Sequence, residues 1–210
     1  MKRILMISTI TMALLTGVSA QNSQASLVTA LEFPPQTGTT ASFVNGTDGW
    51  EFVPNMDIKV TTLGYYDDGA NGLLTSHPVG IFNTATQALI TPSVAINSAS
   101  TLDGLFRFEP IAPVLLNAGQ SYTVAGASVA PFDPLVFNPS GRVFAPELRF
   151  VGYRVGFGNS FAFPTQMQSN NLFASSNFQF EPAPVPVPAS LLLFGSGLVG
   201  LVAWRWKHIA

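Results

Sequence analysis

The chain contains no cysteine. That excludes disulfides, thiolate catalysis and cysteine-based zinc sites, and it is neutral on export, because a domain of this size folds without cross-links. Charge is also scarce, at 10% Asp, Glu, Lys and Arg in 210 residues, against a usual quarter. Between residues 21 and 183 there are five basic residues (Lys59, Arg107, Arg142, Arg149, Arg154) against eleven acidic ones, a net charge of −6. Such a surface repels phosphate backbones, so nucleic acid is not an expected partner. No stretch in this region keeps a helical period for more than two turns, which argues against a helical bundle.

What is present is apolar residues at 47%, with 17 Phe, 18 Gly and 16 Pro. Aromatic richness without high net charge argues against disorder, and short apolar runs punctuated by Gly and Pro predict many short strands. Strand-like runs fall at 58–65, 79–82, 105–108, 121–124, 148–157 and 178–180. In the run at 148–157, Arg149 is expected on one face and Phe150 on the other. These features predict an all-β domain over 26–180, an antiparallel β-sandwich of jelly-roll-like type, with little helix outside the termini.

Both ends read as targeting segments. Lys2 and Arg3 precede an apolar stretch at 4–15, and Val18 and Ala20 form the small-residue pattern of a signal-peptidase site. Residues 1–20 are therefore expected to be a signal peptide cut after Ala20, with signal peptidase as the partner; Ala25 is the alternative site. At the other end, 181–188 is a proline-rich linker, stiff and extended. An uncharged stretch then runs to Trp204. The expected transmembrane helix at 189–204 would be about 24 Å long at the helical rise, against a hydrocarbon core of about 30 Å. Trp204 and Trp206 suit the membrane interface, and Arg205 and Lys207 form a basic stop that would keep the tail 205–210 in the cytoplasm.

A proline motif (Val185, Pro186, Val187, Pro188, Ala189), a Leu/Gly-rich stretch at 191–202 and a basic end (Arg205, Lys207) follow in that order. Together they resemble the PEP-CTERM sorting signal of Gram-negative bacteria. Val187 stands where that motif usually has Glu. The resemblance implies recognition by an exosortase, a membrane transpeptidase that cuts near Pro186–Pro188. The protein would be held transiently in the inner membrane and then passed to the cell surface or extracellular matrix. Gly195, Gly197 and Gly200 also match a dinucleotide-binding fingerprint, but too few residues follow to complete a βαβ unit, and close helix packing in lipid accounts for them better.

Within the domain, four patterns resemble a bacterial secreted domain family of unknown function: Gly49 to Phe52, Leu63 to Gly69, Ser76 to Phe82 and Leu116 to Tyr122. That likeness supplies no catalytic residues.

Three candidate sites remain. Asp67, Asp68 and Asn71, among glycines, offer the clustered oxygens that calcium requires, although the same residues make an ordinary polar turn. No other cofactor is expected. His77, the only histidine between the two targeting segments, could enter a Ser-His-Asp triad assembled at a distance, or simply begin a strand. It cannot pair with Ser76, because neighbours on a strand face opposite sides. Trp50, Tyr65 and Tyr66 could form a sugar-stacking platform, or pack a β core. Asn45, Gly46 and Thr47 spell an N-glycosylation sequon, of little weight in a bacterial protein. The expected role is a non-enzymatic surface or matrix protein; the alternative is a carbohydrate-binding module acting on exopolysaccharide, and a secreted hydrolase is the third class.

Overall fold

A computed structural model describes residues 26–41, 45–128, 133–168 and 171–183. Within them the chain forms β1 (Val28–Thr29), β2 (Leu31–Glu32), β3 (Thr39–Ala41), β4 (Gly46–Pro54), β5 (Ile58–Tyr66), β6 (His77–Asn83), β7 (Val94–Ile96) and β8 (Thr101–Asp103). It continues with β9 (Phe106–Leu116), β10 (Tyr122–Ser128), β11 (Leu135–Phe137), β12 (Val143–Phe144), β13 (Leu148–Phe157), β14 (Gln166–Gln168), β15 (Phe173–Ala174) and β16 (Ser176–Pro182). One 3-10 turn, Asp68–Ala70, is the helical element among the described residues.

The domain is thus nearly all β, and every strand pairing is antiparallel. A five-stranded sheet runs β1-β16-β5-β9-β8, and a six-stranded sheet runs β14-β13-β4-β10-β6-β7. Their inner faces meet through aromatics. Phe178 of β16 lies 5.7 Å from Trp50 and 4.8 Å from Phe52, both on β4. The Trp50 indole N–H crosses the interior to donate to the Ser176 carbonyl at 2.9 Å, satisfying the one polar atom of a buried ring.

Each expected strand run corresponds to a strand. The longest discrepancies have physical causes. β4 lacks alternation because it is central and covered on both faces, so Asp48 and Glu51 are buried beside Trp50 and Phe52. β9 extends well past 108 through Pro110 and Pro113, and its register with β5 shifts between Val60 and Thr62. Proline is tolerated at such irregularities because no ladder donor is needed there. β16 runs on to Pro182, two residues into the expected linker: Glu181 and Pro182 pair with Lys59 and Ile58, and the Ala183 N–H donates to the Asp57 carbonyl at 2.9 Å.

The register also places the chain ends. β1 runs antiparallel to β16, with Val28 opposite Phe180. Residue 26 and residue 183 therefore leave the domain at the same end, beside the turns at Asp57 and Ala118. β16 spans about 20 Å between this exit pole and Ser176. The N-terminus of β6 and the C-terminus of β10 lie at the Ser176 pole.

Candidate functional site

The polar groups of the domain converge at that far pole. His77 opens β6 and is fully buried. Its Nδ1 faces the Ala127 carbonyl at 2.8 Å and its Nε2 faces Asp133 Oδ2 at 2.9 Å. The Ala127 carbonyl can only accept, so Nδ1 donates to it, and Nε2 also lies 3.1 Å from the Thr75 hydroxyl. The Thr75 hydroxyl donates to the same carboxylate at 2.9 Å, and the backbone N–H groups of Leu74 and Thr75 donate at 2.9 and 2.8 Å. Burial works against ionisation of Asp133, but these donors outweigh it and hold its carboxyl below the usual range.

The Tyr65 ring lies flat on His77, centroids 3.9 Å apart and planes 6° from parallel. Gly126 makes room for it: a Cβ there would sit 2.9 Å from the Tyr65 ring. Tyr65 OH is 3.3 Å from Ser128 Oγ, and Ser128 donates in turn to Asp48. Burial pushes the Asp48 carboxyl up to about 6, with the Ser128 and Ser175 hydroxyls offsetting part of the rise. Burial, and then the neighbouring Asp48 charge, raise the Tyr65 and Tyr153 phenols well above their ordinary value. Among the described residues, neither Asp48 Oδ2 nor Tyr153 OH has a hydrogen-bond partner.

This is not the Ser-His-Asp order of a triad. The nitrogen opposite Asp133 goes to a backbone carbonyl and not to a serine hydroxyl. Ser76 is exposed beside it. The network joins β4, β5, β6, β10 and the segment at Asp133, and its chemistry is cross-linking and proton binding. Asp133, Asp48 and Ser128 carried no signal in the sequence, since their bonds span 56 and 80 residues.

The second expected site has a different use. Asp67 is buried and accepts from Arg107 Nε at 2.6 Å, while both its oxygens accept from the Gly72 N–H at 3.0–3.1 Å. Arg107 also donates to the carbonyls of Ser98 and Ser100. Asp68 accepts from Tyr66 OH at 3.0 Å, and Asn71 is exposed at the end of the 3-10 turn. A carboxylate already filled by a guanidinium and an amide does not fit a calcium cradle. Among the described residues no three His, Cys, Asp or Glu side chains cluster as a metal site would require.

The aromatic platform is corrected by burial. Trp50 and Tyr65 are 0% exposed and Tyr66 4%, so none can present a face to a ligand. Their apolar area is worth more in the core than on the surface. On the outer face of the six-stranded sheet, Glu51 and Arg154 pair at 2.7 Å, with Arg154 over the Phe163 ring at 5.2 Å.

One pocket, of about 140 Å³, opens at the same pole as the His77 network. Asn45, Gly46, Ala127, Ser128, Gly158, Asn159 and Ser160 line it. Asn45 Nδ2 donates to Asn159 Oδ1 across it at 3.3 Å.

Ala20, the motif Val185–Ala189, the span 189–204, Arg205 and Lys207 lie outside the described residues. Among the described residues no helix is long and apolar enough to cross a membrane. In comparison with known families, residues 184–207 match the PEP-CTERM protein-sorting motif. No curated protein matches the chain in sequence.

Proposed function

We propose that the chain with this sorting motif is an exported surface or extracellular-matrix protein, acting by structure and interaction rather than catalysis, in the setting of a biofilm. The motif at 184–207 carries the reading. In this reading a signal peptide ending at Ala20 starts export. The helix at 189–204 holds the protein in the inner membrane with Arg205 and Lys207 in the cytoplasm, and an exosortase cuts near Pro186–Pro188. The domain between is a jelly-roll-like sandwich that needs no metal.

The exit geometry supports it. Residues 26 and 183 leave from one pole, so a folded domain can be tethered through either or both ends without unpairing β1 or β16. The linker after Pro182 then stands the domain off the membrane, with the far pole pointing away.

Mass spectrometry of the protein recovered from its host tests this. Loss of residues 1–20 together with a C-terminus near Pro188 is the expected result. An intact C-terminus at Ala210 would reject transpeptidase processing and leave a simple membrane anchor.

A further inference from the structure

We propose that the pocket between Asn45, Ser128 and Asn159 binds one neutral, hydroxylated ring, the terminal sugar residue of a glycan chain. Three observations lead there. The lining holds two carboxamides and two hydroxyls and no charged side chain. Ser128 already donates to Asp48 and Asn45 Nδ2 to Asn159 Oδ1, so the Asn159 amide nitrogen and the Ser160 hydroxyl meet a ligand whose groups both donate and accept, and a phosphate or carboxylate finds no cation there. Gly46 and Gly158 bring bare backbone to the wall, where a ring approaches closely.

Size sets the second limit. A cavity of about 150 Å³ elsewhere holds a single benzene ring, and whole drug-sized ligands occupy about 300–1,000 Å³. At about 140 Å³ this pocket admits one ring and leaves the rest of a chain outside.

The third observation is position. The pocket lies at the pole opposite residues 26 and 183, about 20 Å away along β16. A domain tethered by its tail presents this pocket outward. The ligand assignment itself stands whether or not the tail is processed, so the two readings fail separately.

The full chain in zwitterionic detergent micelles is titrated with neutral monosaccharides, with oligosaccharides ending in the same residues, and with glucuronate and inorganic phosphate. Saturation-transfer NMR reads binding. Binding of a neutral sugar as the end of an oligosaccharide is expected, with glucuronate and phosphate at least tenfold weaker. Asn159→Trp, which puts a ring into the pocket, should weaken binding at least tenfold, and Ser160→Val severalfold should the tryptophan variant fail to fold. Leu102→Ala, exposed on the other sheet, should leave it unchanged. The proposal falls if no neutral sugar binds, if only free monosaccharides bind, if the charged ligands bind more tightly, or if a folded pocket variant binds as well as the parent.

Discussion

His77 and Tyr65 are stacked face to face at 3.9 Å inside the far pole of the domain, with Asp133 meeting the Nε2 edge of the imidazole. The two rings pack as a stacked aromatic pair, and the partly buried Asp133 carboxylate faces the imidazole edge.

Asp133 is the anchor of the pair. Asp133→Ala leaves the His77, Leu74 and Thr75 groups without their shared acceptor, and a partly buried hydrogen-bond cluster that loses its charged acceptor costs about 1–3 kcal/mol. Urea unfolding should show that loss. A double-mutant cycle with His77→Gln should give a coupling of about 1–3 kcal/mol, and simple additivity would mean that the two do not act as a pair.

Asp48 sets a pH dependence of the opposite kind. Its folded value of about 6 lies above the ordinary 3.8, so folding favours its protonated form. The stability this contributes is complete below about pH 4 and is lost as pH rises through 6, by about 3 kcal/mol. Asp133, held low, opposes this trend below about pH 4 by losing its own contribution. Asp48→Asn should raise the urea midpoint at pH 7 and flatten the slope between pH 4 and 6. An unchanged slope would reject the assignment.

The Asp67 loop should respond to arginine, not to calcium. Millimolar calcium should leave the melting temperature of the parent unchanged. Asp67→Asn should lower stability by about 1–3 kcal/mol through the weakened Arg107 contact, because hydrogen bonds to a charged group are the stronger ones. A calcium-dependent rise in melting temperature that the variant loses would return the loop to metal binding.

Trp50 joins the two sheets by area and by one hydrogen bond. Trp50→Phe keeps most of the area but leaves the Ser176 carbonyl unpartnered, at a cost of about 1–3 kcal/mol. Trp50→Ala adds a cavity among Phe52, Phe144 and Phe178 and should cost about 3–5 kcal/mol. Both are read by denaturant unfolding, and equal losses would mean that the indole N–H carries the whole effect.

Strand positions were legible where one face is wet. The run at 148–157 shows its exposed Arg149 beside the less exposed Phe150, and it folds as β13 over that full range, with a register shift between Phe150 and Gly152. β4 was hidden because burial on both faces removes alternation, although it carries Asp48, Trp50 and Glu51. His77 could be singled out as a lone histidine, but its partner could not. The loop at Asp67 had the composition of a cation site, and only the arrival of Arg107 from β9, 40 residues on, gave its carboxylate another use.

Sequence by itself determined the class and the address. Low charge, Gly/Pro punctuation and aromatic runs are local properties that suffice for an all-β domain, and a sorting motif is read as a linear segment. Only the tertiary structure decided which polar groups meet. Antiparallel pairing sets Gly46 opposite both Ser128 and Phe157, and brings His77 to Asp133 and Ser128 to Asp48. Proximity across such separations depends on register and sheet packing, which no local pattern encodes.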